Sequence, residues 1–506
     1  MNALDQAALL MLIVVPLVGA LLSMFIARDR PKDAWYFAVL VSFIALVLSV
    51  LIFARYDYTA GGFQLTRNFQ WLDHPLNITL SLGIDGIAAP LVLLNGIVLF
   101  GAVLISQTIK HRARDFFVLL LALGSGVFGV FVVLDLFFLF FFYELAVLPM
   151  YLLIGVWGSS TDFGSFLRTK EYGAMKLMLY LVGGSVLIWV GILALYTRSG
   201  DLGTGTFSIT QLGQLTRAGM IDETFQNWVF PLFMIGFGVL AGLWPFHTWS
   251  PDGHVAAPTG VSMLHAGVLM KLGAFGIIRV GMVLLPDGAA NWMPVLIVLG
   301  TVNVIYGSIS ALSQKDLKYI IGYSSVSHMG YVLMGIATLH PVGLAGAVLQ
   351  MFSHGIMTAL MFAMVGAIYD RTHIRDITVL NGLMMRMGAT SFFFAIAGLA
   401  SLGLPGLSGF IAEFMVFVGV VAFRPYLPLA ILAVVGAAIT AVYILRLLAR
   451  TFLGEADPLW EHITDASPVE KSVGAAFVLI LIFVGVWPAP LLRVINTGVD
   501  LVLQAF

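Results

Sequence analysis

The chain is a succession of apolar runs about twenty residues long, separated by short polar connections. No run alternates hydrophobic and polar positions along its whole length. A run of that length is what an α-helix needs to cross a bilayer, whereas a spanning barrel would show alternating segments of about ten residues. In hydrocarbon every backbone polar group must be satisfied within its element, which favours helices here. The pattern therefore predicts an all-α membrane protein with about fourteen spans, near residues 7–27, 34–54, 86–106, 116–134, 136–157, 175–196, 229–247, 259–281, 291–313, 319–339, 341–369, 389–422, 425–449 and 472–492.

Two spans carry breaks. The seventh contains Gly236-Phe-Gly-Val-Leu-Ala-Gly-Leu-Trp-Pro245, and the twelfth contains Ser401-Leu-Gly-Leu-Pro-Gly-Leu-Ser-Gly409. Pro245 and Pro405 each remove a backbone donor and free carbonyls. Interrupted spans at matching places in two halves point to an inverted repeat with ion sites at the midplane, here helices 4–8 and 9–13. The rival explanation is that Gly and Pro are simply common in membrane helices. The expected organisation is 1–115 (helices 1–3 and a loop), 116–285 (first repeat), 286–453 (second repeat) and 454–506 (helix 14). Alternation within 55–84 suggests a small extramembrane hairpin, and Thr206 to Phe225 an interfacial helix.

Composition narrows the function classes. Of 506 residues, 60% are hydrophobic and 10% charged, with mean hydropathy +1.01 and formal net charge −1. Nothing in that balance points to a nucleic-acid partner; the lipid bilayer is the expected surrounding. Cysteine is absent, which excludes disulfides, thiol catalysis and cysteine-ligated iron-sulfur clusters in this chain. Residues 7–27 follow no basic segment and precede further spans, so they are read as a retained helix rather than a signal peptide. Lys and Arg concentrate in the odd-numbered connections, so the positive-inside rule puts these in the cytoplasm and both termini on the opposite side.

Against this apolar background a few ionisable residues stand out, and an ionisable group in hydrocarbon is a functional hypothesis by default. Glu144 sits in an otherwise uncharged fifth span and needs a wet interior or a partner. Lys176 opens the sixth span; an ion pair with Glu144, made and broken by helix movement, would switch the carboxylate between protonation states. The competing reading of Lys176 is a side chain snorkelling to the interface. Lys271 lies within the eighth span with His265 six residues before it, a spacing that points their side chains about 120° apart and leaves room only for a shared wet cavity. The rival for His265 is a satisfied core histidine. His328 and His354, each beside serine in consecutive spans, suit proton relay. They lack a carboxylate or thiolate at ligand spacing, so no metal is expected. Glu413, just past the Pro405 break, is the natural end of a half-channel. Trp249-Ser-Pro-Asp252 with His254 reads as a turn after the broken helix, a turn that either lines a mouth or is merely structural.

Four stretches carry a resemblance: Phe142-Tyr-Glu-Leu-Ala-Val-Leu-Pro-Met150, Pro245-Phe-His-Thr-Trp-Ser-Pro-Asp-Gly-His-Val-Ala-Ala-Pro-Thr259, Lys315-Asp-Leu-Lys-Tyr-Ile-Ile-Gly-Tyr-Ser-Ser-Val-Ser-His-Met-Gly330 and Ser401-Leu-Gly-Leu-Pro-Gly-Leu-Ser-Gly-Phe-Ile-Ala-Glu-Phe414. With them the chain resembles subunit M, or chain 4, of respiratory complex I, the proton-translocating NADH-quinone oxidoreductase. That antiporter-like superfamily also holds Mrp-type sodium/proton antiporter subunits and membrane-bound hydrogenase subunits. The resemblance implies Glu144 as the acid of the fifth helix, Lys271 as the central lysine and Glu413 as the ionisable residue of the broken twelfth. It implies no cofactor in this chain, with NAD, FMN, iron-sulfur clusters and quinone held by partner subunits. The expected partners are antiporter-like neighbours and small membrane subunits, in a bacterial inner (plasma) membrane.

There is one departure. The family usually has a lysine in the broken seventh helix, and Gly236 to Pro245 contains none. Lys176, Lys271 with His265, or His247 are the candidates to replace it, or the chain is a divergent copy. The leading expectation is a subunit that moves H+ as quinone is reduced elsewhere. The alternatives are a sodium/proton antiporter or hydrogenase membrane subunit, and a scaffold that has lost transport.

Overall fold

The computed structural model describes residues 3–73, 76–162, 167–203, 205–455 and 457–506, with side chains from residue 7 onward. Among these, twelve helices are long and apolar enough to cross a membrane, and three shorter apolar helices accompany them. The chain opens with α1 (Ala3–Ser23) and α2 (Pro31–Arg55), then an antiparallel hairpin of β1 (Gln64–Leu72) and β2 (Ile78–Ile84) that pairs Phe69 with Leu80. After α3 (Ala88–Ile105) and α4 (Ala113–Val132), α5 (Leu136–Trp157) starts at Asp135, whose carboxylate accepts from the Phe137 and Phe138 N–H groups as an N-cap. Next come α6 (Lys170–Asp201), the amphipathic α7 (Ile209–Arg217) and α8 (Glu223–Ala241).

The breaks anticipated from Gly and Pro lie where two spans come apart. α8 stops at Gly242, whose φ of +78° is left-handed and therefore suits glycine. The chain resumes as α9 (Trp249–Ala256), a buried helix rather than the turn expected from Trp249 to Asp252. Freed backbone groups find side chains: Trp249 Nε1 donates to the Val239 carbonyl (2.9 Å), and Asn303 receives Trp244 N–H (2.6 Å) while donating to Gly242 O (2.7 Å). Such groups would otherwise be costly in a dry interior.

α10 (Thr259–Leu264) and α11 (Met270–Gly276) are joined by the π-helical turn His265–Leu269 and followed by a second, Ile277–Met282. Then follow α12 (Pro286–Ser313), α13 (Leu317–Ala337) and α14 (Pro341–Thr372). The twelfth span, read as one run from 389 to 422, divides into α15 (Gly388–Ser401) and α16 (Ser408–Ala422), with Gly403 and Gly406 at positive φ between them. The chain ends with α17 (Leu427–Phe452), α18 (Pro468–Val486) and α19 (Ala489–Leu503). No apolar run announced α19, because it is amphipathic and carries Arg493, Asn496, Thr497 and Asp500.

Burial grades across the bundle. The apolar windows of Thr259–Met282 and Pro341–Thr372 lie wholly inside, whereas α2 and α17 are peripheral. The two innermost spans carry His265, Lys271 and His354, so these three ionisable residues are buried inside the bundle.

Candidate functional site

Lys271, on α11, is completely buried, and its Nζ contacts two groups. It folds back to donate to the Ala266 carbonyl within the π-helical turn, and it lies 2.8 Å from His354 Nδ1 on α14. A π-turn loosens the i to i+4 ladder, and such bulges recur at functional sites. The approach of the two helices depends on glycine. A Cβ on Gly355 would stand 2.6 Å from the Gly267 carbonyl, and one on Gly267 would stand 3.1 Å from the Gly355 carbonyl. Lysine and imidazole meet one turn from this crossing.

The row continues from His354. Its ring centroid is 5.3 Å from that of His328 on α13. His328 Nδ1 is 3.1 Å from Glu413 Oε1 on α16, and its Nε2 is 2.9 Å from Ser401 Oγ at the end of α15. Gln350 of α14 sits between them, its Nε2 3.3 Å from His328 Nδ1 and 3.4 Å from Glu413 Oε1. Nδ1 cannot donate to the carboxylate and accept from the amide at once. The proton therefore has two self-consistent homes, on His328 facing a carboxylate or on Glu413 facing a neutral imidazole. Ser353 and Ser408, 2.7 Å apart, join α14 to the second break beside this cluster.

Around the first break the arrangement differs. Asp252 of α9, 5% exposed, is held by Arg168 Nη1 (2.5 Å), Lys176 Nζ (2.8 Å) and the Tyr319 hydroxyl (2.9 Å). Deeper in, the rings of His254 and His265 lie 4.0 Å apart, His265 stacks on Trp249 at 5.2 Å, and His254 Nε2 is 3.0 Å from Ser250 Oγ. His254 Nδ1 and both ring nitrogens of His265 and of His247 have no hydrogen-bond partner among the described residues. Buried polar atoms usually have partners, and water is the ordinary one.

Of the residues singled out from sequence, Lys271, His354, His328 and Glu413 are brought together. His265 lies beside them without a hydrogen bond to Lys271. Lys176 is paired with Asp252, not with Glu144, which corrects the switch anticipated between the fifth and sixth spans. The reason is geometric: the break after α8 turns α9 back into the bundle and carries Asp252 to the start of α6. Glu144 is part-exposed and shares a face of α5 with the exposed Phe141, Leu148 and Leu152, while its carboxylate lies against the Ser185 hydroxyl. Sequence reasoning missed Gln350, Tyr319 and Ser401, and it placed Asp252 in a turn beside the broken span without its cationic partners.

Two aspartates anchor the broken spans from outside. Asp222 caps α8, where the N–H of Phe225 holds its carboxyl below the ordinary range. Asp465 receives the N–H groups of Ala389 and Thr390 at the start of α15; burial works against its charge, but those donors and Ala466 N–H keep its carboxyl low.

The family pattern described as NADH:quinone oxidoreductase/Mrp antiporter, transmembrane, matches residues 133–440, which include both breaks and the whole row. The chain is 38% identical over 489 residues to NAD(P)H-quinone oxidoreductase chain 4 of Acaryochloris marina, covering 94% of this chain and 88% of that one. It is 37% identical to chain 4 of Gloeobacter violaceus, covering 95% and 89%. Among solved structures it superposes on a chain of respiratory complex I from Thermus thermophilus with a TM-score of 0.85 at 26% identity, covering 98% and 99%. A chain of the Mrp complex from Dietzia shares the fold with a TM-score of 0.84 at 20% identity, covering 100% and 99%. Sequence and architecture agree across nearly the whole length, and the chain belongs to the NADH:quinone oxidoreductase/Mrp antiporter transmembrane family.

Proposed function

We propose that this chain is a proton-translocating membrane subunit of a complex I-type NADH-quinone oxidoreductase, and that Lys271, His354, His328 and Glu413 form the path of the proton through its interior. The observation that carries the reading is the row itself. Four titratable side chains from α11, α14, α13 and α16 stand in sequence in the bundle core, ending at a His328–Glu413 pair with two self-consistent proton positions. A passive membrane helix gains nothing from such groups. Charge at one site biases the next: two unit charges ~10 Å apart at an effective dielectric near 20 interact by roughly 1.7 kcal/mol, more than one pKa unit.

Each other element has a part. The residues of 116–285 and 286–453 form two inverted repeats, which is supported by the Gly-rich break in each and by the aspartate caps on α8 and α15. In the first repeat the carboxylate is Asp252, gripped by Arg168 and Lys176. Lys176 thus acts through Asp252, and His265 with His254 supplies the proton-holding groups that the family places on a lysine. Glu144 faces a neighbouring membrane subunit, a reading supported by its exposed stripe on α5. Nicotinamide, flavin, clusters and quinone belong to partner subunits. The ends carrying the basic connections lie in the cytoplasm of a bacterium, with both termini across its inner membrane.

The test is Glu413→Gln in the assembled complex, with protons translocated per electron as the readout. The ratio falls by this subunit's share while quinone reduction continues. An unchanged ratio removes the row from the mechanism.

A further inference from the structure

At the end of the bundle that carries the basic connections, the structure has a cavity of about 170 Å³, room for several waters. Lys318, at the first turn of α13, lines its floor and is 4% exposed. Asp370, near the end of α14, lines its mouth and is open to solvent. Glu470 also lines it but is engaged, receiving hydrogen bonds from both terminal guanidinium nitrogens of Arg371 at 2.7 and 3.2 Å. The charges that face Lys318 are Arg375, Asp316 and Asp370. Arg375 is itself tied to Asp316 at 3.1 Å, so Asp370 is the acidic group left facing the water.

Lys318 points inward. Its Nζ donates to the carbonyls of Ala257 (2.7 Å) and Val255 (3.4 Å), the residues that follow His254 along the chain. His254 is fully buried, feels the charge of Lys318, and presents an Nδ1 without a partner among the described residues. His265 stacks beside it, and the charge of Lys271 acts on His265. The cavity, one ammonium and two imidazoles thus lie in order between the basic end and Lys271.

We propose that this cavity is a proton port, with Asp370 gathering protons at its mouth and Lys318 delivering them to His254; this rests on the translocation reading above. In the delivering step the Lys318 ammonium, at the inner end of the cavity, releases a proton that a water beyond it passes to His254 Nδ1, a ring nitrogen outside the cavity lining. The amine is then reprotonated from the water beside Asp370, and the imidazolium hands its proton on through His265 towards Lys271. No electron moves and no bond other than those to hydrogen changes. Lysine can exist with or without its proton in a protein interior, whereas arginine keeps its own.

That difference gives the test. The assembled complex in membrane vesicles is assayed for quinone reduction and for protons translocated per electron, as wild type, Lys271→Met, Lys318→Arg and Asp370→Asn. Lys318→Arg keeps the charge and the capacity to donate to both carbonyls, so its complex is expected to assemble. Its proton ratio is expected to fall to that of Lys271→Met. Asp370→Asn, at an exposed position, is expected to slow proton uptake and to alter its pH profile. A wild-type ratio in Lys271→Met defeats the translocation reading itself. A lowered ratio in Lys271→Met together with a wild-type ratio in Lys318→Arg overturns the port alone. Should Lys318→Arg fail to assemble, Asp370→Asn decides: an unchanged rate and pH profile overturns the port, and a slowed, shifted one supports it.

Discussion

The two broken spans place a carboxylate beside the bundle axis in different company. After the first break Asp252 is bound by two cations and a tyrosine. Past the second, Glu413 has an imidazole and an amide and, among the described residues, no lysine or arginine paired with it. The first arrangement holds its carboxylate between two cations. The second leaves the proton's place open. A pair of similar breaks therefore yields one carboxylate locked by cations and one set beside an imidazole, and the difference comes from what the neighbouring helices present.

The largest effect expected is at the lock. Asp252→Asn removes the carboxylate that Arg168 and Lys176 share, and removing one partner of a buried pair costs on the order of 3 kcal/mol. Thermal unfolding of the assembled complex should show it. Glu413→Gln should cost less than about 1 kcal/mol in the same assay, since the amide replaces a group that nothing permanently charged depends on. Equal losses would erase the distinction between the two breaks.

Next comes the helix crossing that sets the row. Gly355→Ala puts a methyl 2.6 Å from the Gly267 carbonyl, so α14 must move from the Lys271 helix. Overpacking of this kind costs about 2 kcal/mol, and parting Lys271 from His354 should lower protons translocated per electron. A variant with the wild-type ratio would show that the contact is dispensable.

The smallest effect concerns the caps. Asp465→Ala frees the first turn of α15, for about 1 kcal/mol. The carboxyl of Asp465 is held below its ordinary value of 3.8 in the folded protein, so its contribution is present above that value and is lost as pH falls through the lower folded one. Melting curves taken between pH 6 and pH 3 should therefore fall less steeply at the acid end in the variant. A parallel pair of curves would mean that the cap carries no pH dependence.

Much of this was legible in the sequence, and the parts that were not share a cause. Apolar runs locate the spans because hydrocarbon demands them, and Gly with Pro marks both breaks because it interrupts the backbone ladder. Lys271, His328, His354 and Glu413 stand out as ionisable groups within apolar runs. What sequence does not carry is which groups the breaks bring together. Asp252 follows a break and looks like part of a loop, yet α9 turns inward and delivers it to Lys176. Lys318 sits at a span boundary, where snorkelling is the ordinary reading, yet its side chain runs inward to the carbonyls after His254. Gln350 and Ser401 are uncharged, so nothing in composition separates them from helix-packing residues; α19 hides because an amphipathic helix leaves no apolar run.

The central claim is that a proton passes along the row, so the most direct measurement is the proton-to-electron ratio of the assembled complex carrying Lys271→Arg. Arginine keeps the positive charge and hydrogen-bonding capacity but cannot give up its proton. A ratio lowered by this subunit's share, with quinone reduction retained, is the predicted result; the wild-type ratio would contradict it.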